Sequence, residues 1–251
     1  MIPDVIYTIW LRTMKRYIRL KSRIIGSVGM PLFFLLFLGL GLDSVVTIPG
    51  LGQNYTLFII PGIVCFMVVY TSFQSGIQVL WDKQFGFLKE MLVAPVSRFD
   101  IMFGQTLGGA TTAFLQGIII MVISFFIGLH GVNFIGFLIA FGFMVLTGIA
   151  FTAFGIAIAS RMEDPTGYQF IMSFVVLPIF GLSGALFPIS SLPAWIAPIT
   201  LYDPLTYGVE GIRYGLTGVS QINPILCLIV LGFFAIVMTI LGAFLFRRMN
   251  Y

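Results

Sequence analysis

The sequence predicts an all-α integral membrane protein with six transmembrane helices, and three observations carry that prediction. Hydrophobic residues make up 59% of the chain and charged residues only 9%, whereas a soluble globular domain carries roughly 25% charged residues. Six apolar runs, at 24–42, 55–80, 101–129, 132–159, 167–187 and 222–246, are each long enough to cross a hydrocarbon core of about 30 Å. The segments before 24, at 81–100, at 160–166 and after 246 hold twelve of the thirteen Lys and Arg, leaving Arg213 on the opposite side. That imbalance predicts that both termini are cytoplasmic.

These spans and their connections use nearly all 251 residues, so no separate catalytic domain is expected within them. The net charge of +4 follows from membrane orientation, and nucleic-acid binding is not expected. Cys65 and Cys227 sit inside apolar runs, as small core residues do, so neither a disulfide nor a CxxC metal site is expected. A basic, aromatic segment of 23 residues precedes the first run, with no small-residue cleavage pattern after it; that run is expected to stay as a span.

Residues 4–23 predict an amphipathic helix lying at the interface. Arg12, Lys15, Arg16, Arg19 and Arg23 gather on one face and Tyr7, Trp10, Leu11, Met14, Tyr17 and Ile18 on the other, with Lys21 the exception. The basic face suits anionic headgroups.

The 81–100 connection reads as helix, stop, helix on the cytoplasmic side. With Asp82 as cap, Phe85, Leu88 and Leu92 fall on one side of a short docking helix while Lys89 and Glu90 point elsewhere. Pro95 ends it, and Ser97 with Asp100 gives a capping-box pattern for the next span.

Within the spans, Pro31, Pro61 and Pro178 are candidate kinks, and Gly104 with Gly108 forms a GxxxG packing pattern. Gln74 and Gln78 in the second span, and Gln105, Thr112 and Gln116 down one face of the third, either line a substrate path or hydrogen-bond between helices. Asp164 followed by Pro165 reads as a cap and first-turn proline for the fifth span. On the external side, Pro188, Pro193, Pro198 and Pro204 divide residues 188–221 into pieces too short to span, flanked by Trp195, Tyr202, Tyr207 and Tyr214. Short re-entrant or interfacial helices are expected there. Asp203 caps the last of them, and Glu210 pairs with Arg213 at i, i+3, either to gate or to stabilise.

No GxxxxGK[ST], HExxH or paired acidic motif occurs, so no nucleotide or catalytic metal is expected on this chain and it is not expected to be an enzyme. Gly181, Ser183 and Gly184 resemble the GxSG motif of six-span intramembrane serine proteases. The sole histidine, His130, falls in a predicted external turn, where it does not supply the base that such a nucleophile needs.

Three stretches then resemble the permease subunits of type-2 ABC exporters, of the daunorubicin and drug-resistance kind. They are the basic N-terminal helix leading into MPLFFLLF at 30–37, the loop GFLKEMLVAPVSR at 86–98, and FPI at 187–189 through PLTYGVEGIR at 204–213. The sequence departs from the family's acidic, arginine-rich run before the loop glycine, having only Asp82, Lys83 and Gln84 there.

The resemblance implies one transmembrane domain over 1–251. It is divided into an interfacial helix at 1–23, spans one and two at 24–80, a coupling loop at 81–100, spans three to five at 101–187, a re-entrant segment at 188–221, and the last span with its tail at 222–251. It also implies a homodimer of permeases in the cell membrane, with two copies of a separate ABC ATPase subunit that bind ATP and Mg. Phe85, Leu88, Lys89, Glu90, Leu92 and Arg98 then couple to the ATPase, and Tyr207, Glu210 and Arg213 belong to an external gate. The implied cargo is a hydrophobic or amphipathic drug or lipid. Export of a lipid-linked polysaccharide is the alternative, followed by the serine protease; a channel or ion-coupled carrier is disfavoured by the lack of acids and lysines in the spans.

Overall fold

The computed structural model describes residues 3–43, 54–93 and 95–248, without the side chains of Arg23, Lys89 and Leu92. Its helices are α1 (Pro3–Arg19), α2 (Lys21–Phe34, continuing through a π-helical turn Leu35–Leu40), α3 (Tyr55–Gln84), α4 (Phe87–Val93), α5 (Arg98–Ile127), α6 (Phe134–Ala159), α7 (Pro165–Leu182), α8 (Ala197–Thr200), α9 (Pro204–Thr217) and α10 (Pro224–Arg247). No strand occurs among the described residues. Five helices, α3, α5, α6, α7 and α10, are long and apolar enough to cross a bilayer. A sixth span requires α1 and α2 together, bent by 74°. The protein is therefore an all-α integral membrane protein.

Helix α3 is the hub. It packs against α5, α6, α9, α7 and α2, and it is buried along nearly its whole length. By contrast, α7 and α10 turn Phe170, Phe174, Leu177, Phe233, Ile236 and Ile240 outward, the apolar exterior that lipid tolerates. Both α3 and α5 have 30 residues, about 45 Å of helix, which exceeds a hydrocarbon core by roughly 15 Å. Asp82 and Arg98 mark the end where α3 finishes and α5 begins, called here the basic end.

Several local expectations correspond to structure. Ser97 accepts the Asp100 backbone N–H at 3.0 Å and starts α5. Asp164 accepts from Thr166 and Gly167 at 3.1 and 2.8 Å, bonds that hold its carboxyl below the ordinary range. Asp203 accepts from Leu205 at 2.9 Å and starts α9.

Three boundaries differ. The N-terminal helix stops at Arg19, because Leu20 takes non-helical φ −96° and ψ 64°; Lys21 and Arg23 open α2 instead of closing α1. Asp82 caps nothing, since α3 runs on to Gln84 and places it in that helix's last turn. The new helix starts only after Gly86, whose φ of +81° is a left-handed turn that glycine adopts without cost. The run at 24–42 is split by the π turn, which follows Pro31 and its missing N–H.

The GxxxG of α5 seats α1, not another span. A Cβ at Gly104 would lie 3.0 Å from Ile9 Cβ, and one at Gly108 would lie 2.8 Å from Thr13 Cβ. Trp10 Nε1 adds a hydrogen bond to Thr111 Oγ1 at 3.0 Å.

Candidate functional site

Two surfaces and a cavity bring together the polar residues that the sequence singles out. At the basic end, Asp82 is the knot. It accepts from Arg12 Nη2 at 3.0 Å and from Arg16 Nη1 at 3.2 Å, so α1 is tied to the end of α3. Arg12 also donates to Met91 Sδ at 3.5 Å and lies 5.8 Å from the Phe87 ring centre, reaching across to α4. Two of the five cations assigned to a lipid-facing stripe thus serve an internal joint.

Helix α4 sits on that joint with its faces sorted differently from the expectation. Leu88 is 0% exposed and packs in a cluster with Ile9, Val79, Ile101, Met102, Ala153 and Phe246. It anchors α4 to the body and offers no knob to a partner. The exposed aromatics are Phe85, at 68% and stacked on Trp81, and Phe87, at 51%. Glu90 is exposed, whereas the side chains of Lys89 and Leu92 lie outside the described residues. Arg98 donates to the Arg247 carbonyl at 2.6 Å, closing the end of α10. Between α1 and α3–α4 runs a groove of about 770 Å³, walled by Lys15 and Arg19 on one side and Phe85 and Phe87 on the other.

Behind the joint lies a cavity of about 280 Å³ between α1, α2, α3 and α5. Gln74, Gln78, Thr112 and Gln116 all line it. Gln105 instead lines a separate 20 Å³ pocket that shares Thr13, Ser75 and Gln78 with it and reaches Asp82. Gln74 Nε2 donates to the Tyr70 hydroxyl at 3.3 Å. Ser27 Oγ donates to Gln116 Oε1 at 3.0 Å, and Tyr17 hydrogen-bonds the same amide. With its amide oxygen toward Arg16, Gln78 accepts from Nη1 at 2.9 Å. Arg16 is therefore shared between joint and cavity. Thr71 and Ser27 are lining residues that the sequence did not single out, and Tyr17, placed by the sequence on the apolar face of the N-terminal helix, lines the cavity as well; only the pairing of helices reveals them.

At the opposite end, α9 descends along α6. Gly215 would place a Cβ 2.7 Å from the Gly136 carbonyl and Gly208 would place one 2.9 Å from Thr147 Oγ1. Gly136 and Thr147 are eleven residues, or about 16 Å, apart along α6, so α9 follows α6 over that length, seated on glycines. Glu210 and Arg213 pair while 0% and 1% exposed. Arg213 further donates to the Gly184 carbonyl at 2.8 Å and covers the Phe58 ring at 4.0 Å, while Glu210 accepts the Gln221 backbone N–H. Tyr207 donates to the Leu201 carbonyl at 2.7 Å. These bonds tie α9 to the segments on either side of it, at Gly184, Leu201 and Gln221.

Ser183 is buried and donates to the Phe180 carbonyl at 2.8 Å. His130 is exposed in the α5–α6 turn, and no hydrogen bond joins the two among the described residues. No group of three metal-ligating side chains occurs among the described residues.

The sequence profile described as "ABC-2 type transporter" matches residues 4–217, from α1 to the end of α9. The chain is 34% identical over 205 residues to the transport permease ycf38 of Cyanophora paradoxa, covering 79% of this chain and 70% of the relative. It is 27% identical over 254 residues to nodulation protein J of Rhizobium leguminosarum bv. viciae, covering 95% and 94%. It is 24% identical over 221 residues to the inner membrane transport permease YadH of Escherichia coli (strain K12), covering 86% and 84%.

Proposed function

This chain belongs to the ABC-2 type transporter family as a transport permease, and from that premise we propose that it is the membrane subunit of an ATP-driven exporter. Two copies pair in the cell membrane with both termini cytoplasmic, and each docks one copy of a separate ABC ATPase. ATP and Mg belong to that partner. The cargo is a hydrophobic or amphipathic drug or lipid, passing along the face marked by Gln74, Gln78, Gln105, Thr112 and Gln116. Tyr207, Glu210 and Arg213 hold the external gate.

The observation that carries this reading is the joint at Asp82. A bound ATPase shifts a membrane conformation only through contacts that differ between states. Phe85 at the end of α3 and Phe87 on the short helix anchored by Leu88 are both exposed, and Arg12 links that helix to α1 and α3. A push on α4 therefore reaches the helix whose Arg16 lines the cavity.

The test is co-purification. Tagged protein extracted from its native membrane is expected to bring down an ATPase, and Phe87→Glu, which alters an exposed side chain, is expected to retain at least tenfold less. Wild-type protein that transports while recovering no ATPase would refute the reading.

A further inference from the structure

The lining of the 280 Å³ cavity specifies the chemistry of what it holds. Among the described residues, its polar side chains are amides and hydroxyls, from Gln74, Gln78, Gln116, Ser27 and Thr71 among others, with one guanidinium, Arg16, and no carboxylate. The nearest acid, Asp82, is already shared by Arg12 and Arg16. A cationic headgroup would meet a guanidinium and no counter-ion. Amides and hydroxyls both donate and accept, the pattern that hydroxyl groups match. Thr71 Oγ1 is buried on this wall without a hydrogen-bond partner, and such an atom calls for a ligand or water.

Size and access narrow the ligand further. The volume is at the low end for a small-molecule pocket, enough for a headgroup and too small for a headgroup with its alkyl tail. The wall formed by the α1–α2 break is open: Leu20 and Gly26 line it, a Cβ on Gly26 would meet nothing within 4 Å, and the neighbouring Ile25 is exposed. The 74° bend between the two helices sits on this side of the cavity, referred to below as the slot.

We propose that this cavity is a lateral site for the uncharged, polyhydroxylated headgroup of an amphiphile whose tail stays in the lipid. The inference rests on the permease reading and narrows its cargo, away from cationic drugs. Gln116 and Gln74 hold ring or chain hydroxyls, Thr71 completes the set, and Arg16 closes the mouth as α1 moves.

Binding without ATPase or nucleotide separates this inference from the transport reading. Gly26→Cys places a thiol at the slot with room for its side chain, while native Cys65 and Cys227 are buried. In peptidiscs without added lipid or detergent, dodecyl maltoside below its micelle concentration is expected to slow labelling of that thiol by a polar maleimide, saturably. Dodecyltrimethylammonium is expected not to. Adding Gln116→Leu or Thr71→Val should raise the half-protecting maltoside concentration about tenfold, the loss of one or two buried hydrogen bonds. Free maltose, lacking the tail, should require at least tenfold more. Equal protection by the cation, by tail-less maltose, or in both variants overturns the inference while leaving ATPase coupling intact; a protein that passes here and never couples to an ATPase instead refutes the transport reading.

Discussion

Each end of the molecule is held by an arginine–carboxylate pairing, and the two pairings differ in almost everything except chemistry. At the basic end Asp82 is shared by Arg12 and Arg16, whose side chains are 39% and 38% exposed. At the far end Glu210 and Arg213 are 0% and 1% exposed, and each makes a second hydrogen bond to backbone. Partly exposed ion pairs are weak and screened by salt. A buried pair gains little overall, but breaking it strands a charge. With Asp82 itself only 6% exposed, the basic-end pairing is a joint whose arginines reach water while its carboxylate does not, whereas the far-end pairing is a staple, buried on both sides, that holds α9.

The comparison breaks most visibly at the staple. Arg213→Ala leaves Glu210 buried without its cation and is expected to cost about 3–5 kcal/mol, read as a large fall in thermal unfolding temperature in detergent or loss of monodisperse protein. Glu210→Gln with Arg213→Met removes both charges and should recover much of that stability. An Arg213→Ala protein as stable as the wild type would show that the pair is no staple. Leu88→Ala comes next, at about 2–3 kcal/mol, because it empties a site in the cluster that anchors α4. The loss should appear as earlier proteolysis around 86–97 with the remaining spans intact.

Asp82→Asn is expected to cost only about 1 kcal/mol, as the partners it releases are half in water. Its signature is salt dependence. Raising ionic strength should loosen α1 in the wild type, measured as faster hydrogen exchange over Pro3–Arg19, and should change little in Asp82→Asn. Helix α9 at Pro204–Thr217 should not respond to salt in either protein. A salt response of equal size at both ends would erase the distinction between joint and staple.

The sequence revealed the staple better than the joint. Glu210 and Arg213 are neighbours on one helix, and Asp203, Asp164 and Ser97 are caps with local partners, so spacing alone reaches them. Asp82 binds residues 66 and 70 positions away, and no local pattern carries that information. Its misreading as a cap had a visible remedy: Gly86 marks a left-handed stop, which would have ended α3 before Phe87 and turned Leu88 inward. The glutamine faces of the second and third spans were legible as faces. That they line one cavity, together with Ser27, Thr71 and Tyr17, depends on how α1, α2, α3 and α5 pack. The GxxxG likewise announced a close neighbour without saying that the neighbour is α1.

The smallest expected structural effect is the sharpest test of what the joint is for. Phe85 is 68% exposed and touches the body through its stack on Trp81, so Phe85→Ala should change stability by no more than about 0.5 kcal/mol. If its ring, with Phe87, is what an ATPase grips, the same substitution should lower recovered ATPase activity at least tenfold in co-purification, with unfolding temperature, α1 hydrogen exchange and headgroup protection unchanged. A silent Phe85→Ala beside a defective Leu88→Ala would mean that α4 matters only for holding the α1, α3 and α5 ends together. The push would then have to enter through α1, along the basic wall of Lys15 and Arg19.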